Sequence, residues 1–289
     1  MNPAVLALYR VRGAIFFAAT AVLVAVALFG RFLEGEVADA ILLGLVVAGL
    51  AGWLLCLLLA MFGAKAIPQR ERVTVHSPVS GRWLAMNSPA SQTPSHGTRA
   101  YGQAHAVDLV FEPEGYTRPA FGTWPAMREP QEFKAFGQPV VSMVDGVVVR
   151  ASDWRRDHRS RTNLIAFAYL MAEGAVRELG GPGFVVGNHV VVRDANGDFA
   201  ATVHLSQGSK TVNVGDTVRA GDIVGACGNS GNSSEPHVHA QLMDRASFWT
   251  AQGVPFAFSE ISIDGQDPAD GMPRNGQHLT AGEPEPRAE

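Results

Sequence analysis

Gly225-Ala226-Cys227-Gly228-Asn229-Ser230-Gly231, followed by Pro236-His237-Val238-His239-Ala240-Gln241-Leu242, is the stretch on which the reading of this chain turns. A glycine-rich turn runs into an apolar segment interrupted by two histidines. Side chains alternate across a strand, so His237 and His239, at i and i+2, share one face. Two imidazoles side by side suit a metal ligand next to a proton-handling group. A bare His-x-His serves equally well as a surface pair, so its meaning depends on what surrounds it.

From about Val73 onward, short β-branched runs alternate with Gly, Pro, Asn and Asp, the pattern of short strands joined by turns. Strands are predicted at 73–76, 106–111, 139–144, 146–150, 189–193 and 199–205, with Asn196-Gly197 as a hairpin turn. Two more short strands, with tight turns, are predicted at 212–216 and 218–225. The best helical pattern, 165–179, lies in what reads as an insertion. The segment from 265 to the end is rich in Pro, Gly, Glu and Asp and reads as a disordered tail. The expected fold is all-β, antiparallel, with peripheral insertions at 112–132 and 152–182 bordering any groove.

Upstream, the runs 13–30 and 40–63 contain no charged residue. Both lie within the length that crosses a bilayer, the first near the lower limit. We therefore expect an anchor at 1–66 with two transmembrane helices and a lipid bilayer as partner, a folded domain at 67–264, and the tail at 265–289. Arg10 and Arg12 precede the first run, and Lys65, Arg70 and Arg72 follow the second, while the loop sets Arg31 against Glu34, Glu36 and Asp39. Positive charge is retained inside, which places both termini in the cytoplasm. Gly44, Gly49 and Gly52 offer small residues for helix pairing. The net charge of −4 carries no nucleic-acid signature. Cys56 and Cys227 sit in a span and in the glycine-rich turn, so no disulfide between them is expected.

Three residues accompany the histidine pair. Asp108 lies in Ala106-Val107-Asp108-Leu109-Val110-Phe111. A carboxylate in an apolar strand is costly unless paired or metal-bound, although a solvent-facing position on a half-exposed strand would explain it as well. His204 ends Ala201-Thr202-Val203-His204-Leu205, and His96 lies in Ser95-His96-Gly97-Thr98. Taken alone, either histidine reads as structural or exposed.

Together these elements resemble the lysostaphin-like zinc metallopeptidases, which cut cell-wall peptide bridges. The resemblance spans about 73–243. It is most specific in the strand ending at His204, in Val214-Gly215-Asp216-Thr217-Val218-Arg219-Ala220-Gly221-Asp222-Ile223-Val224-Gly225, in Gly228-Asn229-Ser230-Gly231, and in His237-Val238-His239. It implies a peptidase domain with barrel-like hairpins and one Zn2+, held in part by His239 and Asp108. It also implies that His204 and His237 flank the activated water as catalytic groups, and that peptidoglycan peptides are the substrate. The family pattern has a histidine four residues before the aspartate, where this chain has Ala104. The remaining metal ligand is then His96, brought beside Asp108 across a turn containing Gly97 and Gly102, or His105. Odd spacing turns His105 to the opposite strand face from Asp108 unless a bulge intervenes. A cell-wall substrate requires an extracytoplasmic domain, which opposes the charge criterion.

Two other functions fit parts of the pattern. The residue at Ala104 is compatible with a catalytically degenerate relative acting as a binding or activator module. Val-Gly-Asp-x-Val-x-x-Gly-Asp also resembles biotinyl and lipoyl carrier domains, but the turn between the halves offers no lysine and the histidine pair would have no purpose.

Overall fold

The computed structural model describes residues 3–282. It divides into a first unit, Met1–Gln69, and a second, Arg70–Glu289.

In the first unit, helices α1 (Pro3–Phe29) and α2 (Glu36–Phe62) are joined through a short 3-10 turn. With their flanking turns they span 30 and 31 residues and contain 18-residue stretches of mean hydropathy 2.4 and 2.6, long and apolar enough to cross a membrane. A Cβ at Gly49 would stand 2.6 Å from Leu23, and one at Gly52 would stand 2.8 Å from Ala19. These glycines are therefore used inside the hairpin, letting α1 and α2 pack closely. Nothing lies within 4 Å of a Cβ at Gly44.

The second unit is mostly sheet. Its strands are β1 (Val73–Val75), β2 (Gly81–Met86), β3 (Val107–Phe111), β4 (Met127–Arg128), β5 (Pro139–Val141), β6 (Gly146–Ser152), β7 (Ser160–Arg161), β8 (Asn188–Arg193), β9 (Phe199–Leu205), β10 (Thr217–Val218), β11 (Ile223–Ala226), β12 (Val238–Met243), β13 (Phe256–Ile263), β14 (Ala269–Gly271) and β15 (His278–Ala281). The main sheet runs β1-β13-β15-β2-β3-β12-β9-β8-β6-β10, with β14 paired to β13. All its pairs are antiparallel except β1 with β13. Among the described residues no sheet closes on itself. In place of barrel-like hairpins, β11 pairs β5 as a separate two-stranded sheet. The insertion holds helix α3 (Leu164–Leu179), capped by the Asn163 side chain accepting from Ala166 N–H, and α4 (Pro182–Val186).

Alternation assigns each strand residue to a layer. Trp83, Leu109, Val238, Leu242, Phe258 and Leu279 bury on one face. Val191, Ala201, Val203, Met243 and Phe248 form a smaller cluster on the other, and the polar residues described below share that second face.

Two expectations need correction. The tail is not disordered from 265: β15 inserts between β13 and β2, pairing Leu279 with Trp83, and Leu279 is fully buried. A four-residue strand contributes too little to composition to show against its Pro- and Gly-rich surroundings. Residues 283–289 lie outside the described residues. The run 212–216 is also not a strand. Asp216 Oδ2 accepts from Asn213 N–H, and Asp216 N–H donates to Asn213 O. This side-chain turn competes with sheet pairing, and pairing begins only at Thr217.

Candidate metal centre

Four neighbouring strands, β2-β3-β12-β9, build the site. Asp108 on β3 lies directly opposite His239 on β12 in the antiparallel register, and His239 lies opposite Val203 on β9. Facing residues in such pairs point to the same side, so Asp108, His237, His239 and Gln241 line one groove. The groove measures ≈ 680 Å³ and also takes in His96, Val203 and His204.

Val203 and His204 are consecutive, and simple alternation would send one of them into the core. A β-bulge prevents this. His189 opposes Val203 and Asn188 opposes Leu205, leaving His204 as the extra residue. Its φ is 62°, a left-handed conformation that costs a non-glycine residue about 1–3 kcal/mol. The Gly228 N–H donates to His204 O, and the His204 ring is fixed through Nδ1, 2.8 Å from Ser230 O. Gly187, at φ 69°, permits this arrangement, because a Cβ there would meet Ser230 at 2.6 Å.

His96 arrives from outside the sheet. Ser95 N–H donates to Ala104 O, so the Ser95–His96 segment lies alongside the position where the family pattern has its histidine. His96 Nε2 stands 3.1 Å from Asp108 Oδ2. His105 ends the 3-10 segment Ala100–His105 and joins neither of the metal-capable groups found among the described residues, His96-Asp108-His239 and His204-His237-His239.

The hydrogen bonds on the outer side of each ring set its tautomer. His239 Nε2 lies 2.9 Å from Gln241 Oε1, while Gln241 Nε2 donates to Tyr101 O. The amide oxygen therefore faces the ring, Nε2 carries the hydrogen, and the Nδ1 lone pair points at Asp108 Oδ1, 2.8 Å away. Ser95 donates to Gln103 O and accepts from His96 Nδ1, which leaves the His96 Nε2 lone pair aimed at Asp108. His237 Nδ1 donates to Glu235 O at 2.8 Å, and its Nε2 is 3.5 Å from Asp108 Oδ1. His204 likewise uses Nδ1 outward. Lone pairs of neutral imidazoles thus converge on a buried carboxylate, two of them within hydrogen-bond distance of its oxygens. Acceptors facing acceptors repel unless a proton or a cation lies between them, and His₂Asp is a donor set that suits zinc.

Burial alone would raise the Asp108 carboxyl. When the neighbouring rings carry the intervening protons, the charges of His96 and His237 and hydrogen bonds from His237 and His239 outweigh it and hold the group well below the carboxylate range. An ionised carboxylate therefore faces whichever proton or cation lies between. Asn87 Nδ2 donates to Oδ2 at 2.7 Å. Burial, then the neighbouring His237 and His239, pushes His204 well down, and burial also lowers His239. His237 is raised: burial opposes its charge, but Asp108 beside it prevails.

Gln241 is the residue that sequence reading passes over, although its i+2 spacing from His239 put it on the same face. By fixing the His239 tautomer it orients a candidate ligand. Gln241→Leu is expected to weaken zinc affinity about 10- to 100-fold with the fold intact, measured by competition with a chromophoric chelator. Gln241→Glu, which keeps the acceptor, is expected to stay near wild type.

Of the two insertions expected to border the groove, α3 does so through Phe167, Leu170, Met171 and Glu178. The 112–132 insertion contributes no lining residue. It sends Arg118 to Glu235 at 2.7 Å, beside His237.

Residues 160–249 match the sequence model of peptidase family M23, a segment that contains His204, His237 and His239. Several solved structures are similar. The catalytic domain of the antimicrobial peptidase lysostaphin from Staphylococcus simulans is 19% identical, over 63% of this chain and 87% of that one, with a TM-score of 0.31. Pseudoalterin, an M23 metalloprotease from the deep sea, is 18% identical over 75% and 100%, with a TM-score of 0.38. A zinc-containing peptidase from Vibrio cholerae is 17% identical over 64% and 38%, with a TM-score of 0.30.

Proposed function

We propose, from the match of residues 160–249 to the sequence model of peptidase family M23 and from the geometry of the site, that this chain is a membrane-anchored zinc metalloendopeptidase hydrolysing peptide bonds of bacterial cell-wall peptidoglycan. The observation that carries this reading is the convergence of imidazole lone pairs from His96 and His239 on the buried Asp108 carboxylate. These three residues would hold the metal. Bound zinc supplies Lewis acidity, which makes water acidic near neutral pH and polarises a carbonyl.

The remaining chemistry belongs to His204 and His237. Their rings lie 4.9 Å apart, centroid to centroid, and each uses Nδ1 outward, so both Nε2 atoms face the groove. An Nε2 lone pair there accepts the proton of attacking water and returns it to the leaving amine. The protonated partner donates to the developing oxyanion. Val203, Phe167, Leu170 and Met171 line the same groove, giving an extended peptide an apolar wall.

The two apolar helices supply the anchor, and the substrate assigns the second unit to the extracytoplasmic side, against the loop charges. The activator reading rested on Ala104, and His96 beside that position supplies the imidazole it lacked. As the test, full-length protein in detergent is expected to release peptide fragments from purified peptidoglycan. A chelator should abolish the release and added zinc restore it. Stoichiometric zinc without hydrolysis would instead support the binding-module reading.

A further inference from the structure

A second cavity of ≈ 510 Å³ opens on the insertion, lined by Trp154, Arg155, Arg156, Arg177 and Phe184 together with Glu173, His158, Gln207 and Gly231. Its chemistry is unlike that of the catalytic groove. The Arg155 guanidinium lies 4.2 Å from the Trp154 ring centroid and 4.4 Å from that of Phe184, while those two rings meet edge-on. Such stacking fixes the guanidinium plane and leaves its edge for a ligand. Arg155 Nε is buried and has no hydrogen-bond partner among the described residues; closed to solvent beside the two rings, it leaves the terminal guanidinium nitrogens as the groups a ligand would meet.

The charge is also unbalanced. Three guanidiniums line the cavity against one carboxylate, Glu173, and that carboxylate already binds Arg161 at 2.6 Å and reaches Arg177 only at 3.5 Å. Among the described residues, neither Arg155 nor Arg156 forms an ion pair. Both His158 ring nitrogens lie on backbone carbonyls, contacts that favour its protonated form, but burial outweighs them and pushes its pKa down.

The cavity lies against the catalytic groove. Gly231 lines the cavity and Asn232 lines the groove, and Arg177 donates to Asn232 Oδ1 across that wall. Helix α3 serves both, with Leu170 and Met171 toward the groove and Glu173 and Arg177 toward the cavity.

We propose that this cavity is an anion subsite that captures a free carboxylate of the peptide substrate, using Arg155, Arg156 and Arg177 as donors and Trp154 and Phe184 as walls. It rests on the peptide-substrate reading above. Planar bidentate pairing of guanidinium with carboxylate gives the geometry its selectivity. It would favour peptides with an unblocked acidic residue or C-terminus over fully cross-linked or amidated ones.

The test is equilibrium binding by calorimetry, with full-length protein in detergent and chelator present so that no cleavage intervenes. The probes are a wall stem peptide with a free C-terminal carboxylate and its C-terminal amide. Wild type is expected to bind the amide about tenfold more weakly. Arg155→Ala should bind both peptides equally, at the affinity wild type shows for the amide, and Arg155→Lys should fall between. Arg156→Ala, at an exposed side chain, gives a second reading should Arg155→Ala fail to fold. An amidation penalty unchanged in these variants would overturn the assignment, and so would inorganic phosphate binding where neither peptide binds. Loss of hydrolysis with the amidation penalty intact would count against the peptidase reading alone.

Discussion

Asp108→Ala is expected to leave the chain folded but without zinc, and to lower peptidoglycan hydrolysis by on the order of 10³-fold or more, since a metal Lewis acid contributes several kcal/mol to such a barrier. The reason is geometric. Asp108 is the one group facing both His96 and His239, 3.1 and 2.8 Å from their ring nitrogens. Without it the two imidazoles retain their outward bonds to Ser95 and Gln241 but share no anion. Two neutral nitrogen ligands hold zinc poorly. The fold should survive because neutral histidines need no counter-charge, and His239 remains hydrogen-bonded through Gln241. Zinc content and a thermal melt on the same sample check both halves of this expectation. Stoichiometric zinc in Asp108→Ala would remove Asp108 from the ligand set.

His204→Ala and His237→Ala are expected to behave differently. Each should retain zinc, with kcat reduced about 10²- to 10⁴-fold, the usual contribution of a positioned acid or base. The double variant should lose less than the sum, because the two rings act on the same proton and oxyanion. These variants also discriminate between arrangements. His204, His237 and His239 form a second group able to hold a metal among the described residues. If zinc left with His204 or His237, that three-histidine group would be the metal site, and Asp108 would be the proton-handling residue.

Much of the site is legible in the sequence because it follows strand alternation. His237 and His239 can be assigned to one face from spacing alone, and only the strand register brings Asp108 opposite His239. His204 is less accessible. Alternation sets it against Val203, and only a bulge with positive φ puts both on the groove side. That irregularity depends on the close approach of Gly187 to Ser230, which are far apart in sequence. His96 depends on a contact between the Ser95 and Ala104 backbones, and no local periodicity reports it. The hairpin sequence Asn196-Gly197 and the strand 199–205 were readable because their signals are local. The final strand was hidden because Leu279 is its one large buried residue in a polar, proline-containing segment, and it becomes a strand only by fitting between β13 and β2.

The measurement that tests the account most directly is zinc stoichiometry of the full-length protein, purified in detergent, beside His96→Ala. One zinc per chain is expected in the wild type, with the variant losing it under the same dialysis. Zinc retained at wild-type affinity in His96→Ala, or absent from the wild type, would contradict the His96-Asp108-His239 centre and the catalysis built on it.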